Sequence, residues 1–197
     1  MAGPPTSPST QRGAATRRRI LDAATEEFAR HGIAGARVER IIQTARTNKA
    51  QLYGYFGSKD GLFDAVVTDS LDRITTVVPI DADDLADWAV RLYDSYLSDP
   101  DIVRLATWIR LERRPAGLLV DDSDRLNDPK TEAIRQAQAA GRVCPGDPFD
   151  LMALVIAMSC AWSPVSGVYA ATADEPEAVH DRRRAQLREC VRRAIAL

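Results

Sequence analysis

The chain has 197 residues, 45% hydrophobic and 27% charged, with a net charge of −2. That is long enough for one or two domains with a buried core, and no apolar run reaches the ~18 residues of a membrane span, so a cytoplasmic protein with no membrane role is expected. Cys144, Cys160 and Cys190 are widely spaced and form no Cys/His cluster, which leaves no disulfide framework or metal site to build on.

The charge is uneven. Residues 1–63 carry ten Lys/Arg against five Asp/Glu, while 64–197 carry sixteen against twenty-three. A basic small region joined to an acidic larger one suggests that only the first meets phosphates. No Ser/His/Asp set, P-loop or Gly-x-Gly-x-x-Gly is present. His31 fits a helix C-terminus and His180 a solvated face. An enzyme is not expected, nor is a cofactor.

In chain order, residues 1–15 are rich in Pro, Ser, Thr and Gly and read as a disordered arm. A first helix follows over 16–31, with Ile20, Leu21, Ala24 and Phe28 as its buried stripe and Gly32 placed to end it. Arg17, Arg18 and Arg19 at its start oppose the helix dipole, which fits a grip on phosphate as well as a solvated basic end.

Residues 38–59 read as two short helices and a tight turn. Val38, Ile41, Ile42 and Ala45 share one face of 38–45, Arg46 and Thr47 fill the turn, and Asn48 caps a second helix over 49–56. There Leu52 and Phe56 face inward, leaving Lys49, Gln51, Tyr53 and Tyr55 outside. Such a unit is how a helix-turn-helix enters a major groove. Thr47, Asn48, Lys49, Ala50 and Gln51 are small or polar enough to approach base edges, and Gln51 can pair with adenine. Gly54 costs roughly 1 kcal/mol of helix stability against Ala, a cost that makes sense if a side chain would strike the sugar-phosphate wall.

A helix after Ser58 runs to Val78, where Pro79 stops it, with Phe63, Val66, Val67, Leu71, Ile74 and Val78 along one side. It is long enough to link two domains. Only helices follow: one through Leu85, Trp88, Ala89, Leu92 and Tyr96, then three opened by Asp–Pro pairs at 99–100, 128–129 and 147–148. The last of these is expected over 149–171, bent at Pro164 or Gly167, and no element is assigned to 116–127. A final helix opens near Pro176 and ends with Leu187, Cys190, Val191, Ala194 and Ile195, its part at 180–186 facing solvent. Glu112, Arg113 and Arg114 read as a solvated cluster. The fold class is all-α.

Residues 16–66, with ILDAA, FARHG, the two-helix unit and LYGYFGSK, resemble the DNA-binding domain of the TetR family of transcriptional regulators. The resemblance implies a helix-turn-helix domain at 16–63 and a larger helical ligand-binding and dimerisation domain at 64–197. It also implies three partners: a double-stranded DNA operator, a small-molecule effector and a second copy of the chain. Residues matching the family's DNA contacts are Arg18, Arg37, Arg46, Thr47, Asn48, Lys49, Ala50, Gln51, Tyr53, Gly54, Tyr55 and Lys59. The family usually has Thr at the place of Arg37, Gly at that of Arg46, where a positive φ is favoured, and often His at that of Tyr55.

The family encloses an effector pocket among its fourth to eighth helices, for which Trp88, Tyr93, Tyr96, Leu105, Trp108, Ile109 and Trp162 are candidates, although aromatic residues at helical spacing are also ordinary core. It dimerises through its last two helices, with Met152, Ile156, Ser159, Leu187, Val191 and Ile195 as candidates. The reading is a ligand-responsive repressor released from a pseudo-palindromic operator. The alternatives are a redox-switched regulator acting through Cys144, or a helical small-molecule-binding protein without DNA function.

Overall fold

The computed structural model describes residues 8–76, 78–117 and 129–196, and all their regular structure is helical. The helices are α1 (Pro8–Gly35), α2 (Val38–Thr44), α3 (Lys49–Phe56), α4 (Lys59–Thr76), α5 (Leu85–Ser98), α6 (Pro100–Glu112), α7 (Pro129–Ala139), α8 (Pro148–Ser159) and α9 (Glu177–Ile195).

Two hydrophobic clusters organise them. The first holds Ile20, Leu21, Ala24 and Phe28 of α1, Ile41 of α2, Leu52 of α3 and Leu62, Phe63 and Val66 of α4, with Leu105 and Ile109 from α6. Phe28 and Phe63 meet edge to face with centroids 5.0 Å apart. The second joins α5, α7, α8 and α9 through Trp88, Leu92, Ile134, Val155, Leu187 and Val191. Each fully buried Leu, Ile or Phe stabilises by ~1.5–3 kcal/mol. The boundary expected at 63/64 falls inside α4, and the first cluster reaches beyond it.

The helix starts follow local chemistry. The Ser58 hydroxyl accepts from Gly61 N at 2.9 Å at the head of α4. Asp147 accepts from Phe149 N and Asp150 N ahead of Pro148, and Asp84 from Asp87 N at the start of α5. These contacts occupy backbone donors that have no partner within the helix.

Four expectations are corrected. The helix expected over 16–31 begins at Pro8, so 8–15 are helical rather than a disordered arm; residues 1–7 lie outside those described, as does 118–128, most of the unassigned stretch. It also resumes after Gly32 (φ 63, ψ −177) and reaches Gly35. The helix expected to 171 stops at Ser159, because Cys160 N, Ala161 N and Ser163 N close onto carbonyls three residues back and the chain turns before Pro164. The segment 180–186 faces solvent only in part: Asp181, Arg182, Ala185 and Gln186 are exposed, but His180 and Arg183 are buried, held by Tyr93 and Glu175.

Candidate functional site

The turn between α2 and α3 is closed by Thr47 N donating to Ile42 O at 3.0 Å. Arg46 adopts φ 50, the one positive φ outside glycine among the described residues. The left-handed region costs roughly 1–2 kcal/mol for a residue with a Cβ, and the turn imposes it. Asn48 is extended (φ −126, ψ 165), its side chain accepting from Gln51 N at 2.9 Å. Leu52 is fully buried beneath α3, and Phe56 is half-buried with the Arg17 guanidinium 5.3 Å above its ring.

With that face fixed inward, Arg46, Asn48, Lys49, Ala50, Gln51, Tyr53, Gly54 and Tyr55 are exposed, and Thr47 and Lys59 are half-buried. Thr47 Oγ1 donates to Gln51 Oε1 at 2.5 Å, which orients the amide while leaving its NH2 and a second lone pair for a partner. Lys49 Nζ lies 3.1 Å from Glu39 Oε1 across the two helices. The hydrogen bond raises the lysine pKa; the Glu39 pKa falls through its own backbone N–H and then Lys49. A Cβ on Gly54 would meet nothing within 4 Å. Among the described residues nothing excludes a side chain there.

Arg37 opens α2 without a side-chain cap. Glu27 of α1 supplies the missing acceptor, taking Arg37 N at 2.8 Å and Arg40 Nε at 2.8 Å. Burial pushes the Glu27 pKa up, but these donors outweigh it and the net shift is down. Sequence reasoning missed this clamp; the Thr-to-Arg departure at the cap was the available signal. Arg18 is also placed differently from expectation. Asp22 and Asp69 pair with it at 2.6 and 2.7 Å on the α4 side while its side chain stays half exposed, and Arg17 lies beside α3.

The C-terminal turn of α6 fastens the small domain. Trp108 Nε1 donates to Ala29 O at 3.2 Å, and Glu112 Oε2 accepts from Ile33 N at 3.0 Å. Arg113 reaches α4 at Asp60 (2.6 Å) and Asp64 (3.4 Å) and lies 5.5 Å over the Phe63 ring. Gly32 is required here: besides its positive φ, a Cβ would come 2.9 Å from Trp108 and Glu112. Glu112 and Arg113 therefore make contacts with α1 and α4, although Arg113 itself stays exposed.

Residues 20–66 match the family model for bacterial regulatory proteins of the tetR family, and residues 84–193, more than half the chain, match the tetracyclin repressor-like C-terminal domain. The chain belongs to the tetR family. It is 39% identical over 148 residues to the HTH-type transcriptional repressor SCO4008 of Streptomyces coelicolor, covering 74% of this chain and 77% of that protein. To the HTH-type transcriptional regulator RutR of Escherichia coli it is 31% identical over 151 residues, 72% of this chain and 70% of that one. The solved structure of SCO4942 from Streptomyces coelicolor superposes with a TM-score of 0.75 at 38% identity, covering 91% and 98% of the two chains. Like its tetR-family relatives, the chain is a DNA-binding transcriptional regulator and not an enzyme. No helix among the described residues is long and apolar enough to cross a membrane.

The larger tetR-family domain regroups the residues expected at the effector pocket. Tyr93, Tyr96 and Trp162 come together, Tyr93 and Trp162 edge to face at 5.9 Å, but the space they enclose with Ser159 and Ser163 is only about 10 Å3. Burial raises the Tyr96 pKa, with Cys160 nearby adding to the shift. Trp88 is core, its Nε1 donating to Val78 O at 3.2 Å. Leu105 and Ile109 are buried in the first cluster, and Trp108 abuts α1, because α6 packs along α1. Leu105 also lines a separate cleft of about 460 Å3 with Asp22, Glu26 and Asp101.

Four of the six residues expected at the dimer interface are corrected in the same way. Met152, Ser159, Leu187 and Val191 are buried within one subunit, and Ile156 and Ile195 are half-buried against the same core. On α8 the exposed positions are instead Ala153, Leu154 and Ala157, followed by Ala161. Cys144 is half-buried, its N–H donating to Ile195 O at 3.0 Å and its sulfur 3.8 Å from Ala194 O, so it packs against the end of α9.

Proposed function

We propose that this regulator is a homodimeric repressor that reads a pseudo-palindromic operator through α3 and leaves it when a small molecule occupies the larger domain. One observation carries the DNA reading: Gly54 sits in a helix with open space where a side chain could stand, on the same exposed face as Lys49, Gln51, Tyr53 and Tyr55. A helix-weakening residue with no packing reason fits close approach to a sugar-phosphate wall. In this reading Thr47, Asn48, Lys49, Ala50 and Gln51 face the bases, with Gln51 pairing with adenine. Tyr53, Tyr55 and Lys59 hold phosphates, and Arg37 and Arg46 add cations at the edge.

Repression is supported by relatives such as SCO4008, a transcriptional repressor by name. A dimer formed through the exposed apolar face of α8 with α9 would set two recognition helices ~34–36 Å apart, one turn of DNA. The effector favours a conformer in which that spacing is lost, a population shift that lowers affinity without chemistry.

The test is selection of purified protein on random-sequence duplex, followed by a salt titration of the winner. A pseudo-palindromic site bound by a dimer, with affinity falling steeply with salt, is the expected result. Gln51→Ala then relaxes preference at one base pair by ~1–3 kcal/mol. No enrichment at any salt would overturn the reading, and an unchanged selected site in Gln51→Ala would remove Gln51 from base readout.

A further inference from the structure

Residues 37–59, which hold the helix-turn-helix, carry five Lys/Arg and a single acid, Glu39. It lies in the first turn of α2, where an acid suits the helix dipole. Its carboxylate also reaches across to Lys49, the first residue of α3, with Nζ 3.1 Å from Oε1. Arg40 does not compete for it, because Glu27 of α1 holds that guanidinium. Arg37 adds only a lesser attraction.

Both side chains are open to solvent, 56% for the lysine and 68% for the glutamate. Such a pair adds little to the fold, since water screens it and two long side chains lose freedom. It changes the charge of the reading face more. Two outward groups of α3 are held within the protein, and with different results. Gln51 accepts from Thr47 and keeps its NH2 for a partner. Lys49 has its positive charge answered by Glu39. The bond raises the lysine pKa, while its own backbone N–H and then Lys49 lower that of Glu39, so both stay ionised. A phosphate that arrives at Lys49 meets a carboxylate already in place, and must displace it and bear its repulsion.

We propose that Glu39 is an affinity-limiting residue: by holding Lys49 it keeps one cation of α3 from DNA phosphate and weakens binding to every duplex, operator or not. Attraction to phosphate does not depend on sequence, so the restraint falls on all sites alike and leaves base readout by Gln51 as it is. Limited affinity suits a regulator that must come off again, because an effector then has less binding to overcome. The other role open to an acid here, accepting from the N4 amino group of a cytosine, gives substitution the opposite sign. The proposal rests on the reading of α3 as the helix that meets DNA.

The experiment is fluorescence anisotropy of the full-length protein with the selected duplex, and with a scrambled duplex of the same length, across a salt series. Glu39→Gln is expected to bind both threefold or more tightly at low salt. The slope of log affinity against log salt should steepen by ~0.9 for the one phosphate contact each subunit gains. In a Lys49→Met background the same change should give no gain. A substitution that merely disturbed α2 would loosen binding, so a gain in affinity separates the charge effect from damage to the fold. Affinity within threefold of wild type or weaker, an unchanged salt slope, or a threefold gain that persists with Lys49→Met would each overturn the proposal. Weakening on the selected duplex alone would assign Glu39 to base readout instead. If neither wild type nor Glu39→Gln binds any duplex at low salt, the DNA reading of α3 falls and takes the proposal with it. Wild type that holds its operator while Glu39→Gln holds it no tighter overturns the proposal alone.

Discussion

The outward faces of α3 and α8 are both open to solvent, and they are built from opposite materials. That of α3 presents Asn48, Lys49, Gln51, Tyr53 and Tyr55; that of α8 presents Ala153, Leu154 and Ala157, with Leu154 59% exposed. Water satisfies the polar groups of α3 as well as a partner could, so its contacts can be made and broken at little loss. Apolar surface gains ~25 cal/mol for each Å2 removed from water and has no comparable alternative in solution. The first face suits a reversible association, the second a standing one. A regulator that leaves DNA while remaining a dimer needs both.

The largest effect should come from confusing the two sides of the α8–α9 pair. Leu187→Ala empties a buried site and is expected to cost ~2–5 kcal/mol in urea unfolding. Leu154→Glu, outside the core, should leave subunit stability within ~0.5 kcal/mol yet yield monomers in sedimentation and lose the operator. A dimeric Leu154→Glu would mean that another face joins the subunits.

The next effect sets stability against binding on α3. Gly54→Ala has room for its methyl group and should stabilise the free protein by up to ~1 kcal/mol. The same methyl should weaken operator binding tenfold or more, measured by anisotropy at fixed salt. Unchanged affinity would show that DNA does not approach this position.

The smallest effect concerns Glu175. Its carboxyl is held at about 2 against an ordinary 4.5, chiefly by Arg183. A depressed folded-state pKa contributes stability that is present above the unfolded value and lost as pH falls. Wild type should therefore exceed Glu175→Gln in thermal stability above pH 4.5, with the gap closing as the pH falls toward 2. A gap that is constant with pH would mean that the Arg183 contact is not one of charge.

What sequence could reveal differs between the same two regions. On α3 residue types alternate sharply, so Leu52 inward and Gln51 outward followed from pattern alone, as did the Asn48 cap, while the positive φ of Arg46 followed from the family resemblance. On α8 nearly every position is apolar, and a helix without contrast does not say which side meets its own core. Ser159 shows the difficulty: its hydroxyl donates to Val155 O at 2.8 Å, so a polar residue is buried on a bond within its own helix. His180 failed for another reason. Its acceptor-donor partner, Tyr93, is 87 residues away, and only the packing of α5 on α9 brings them together. Arg18 was misplaced likewise, by Asp69 on a helix 51 residues further on.

The fastening at the end of α6 has a geometric consequence. A body pinned at three points that do not fall on one line keeps no rotation of its own. Ala29, Ile33 and the Asp60–Asp64 turn are three such points, on two different helices, all gripped by one short segment of α6. A tilt of α6 would therefore be passed on to the DNA-reading unit, as to a hand on a splinted wrist. In the proposed dimer, the distance between two recognition helices would then record the tilt of two α6 helices.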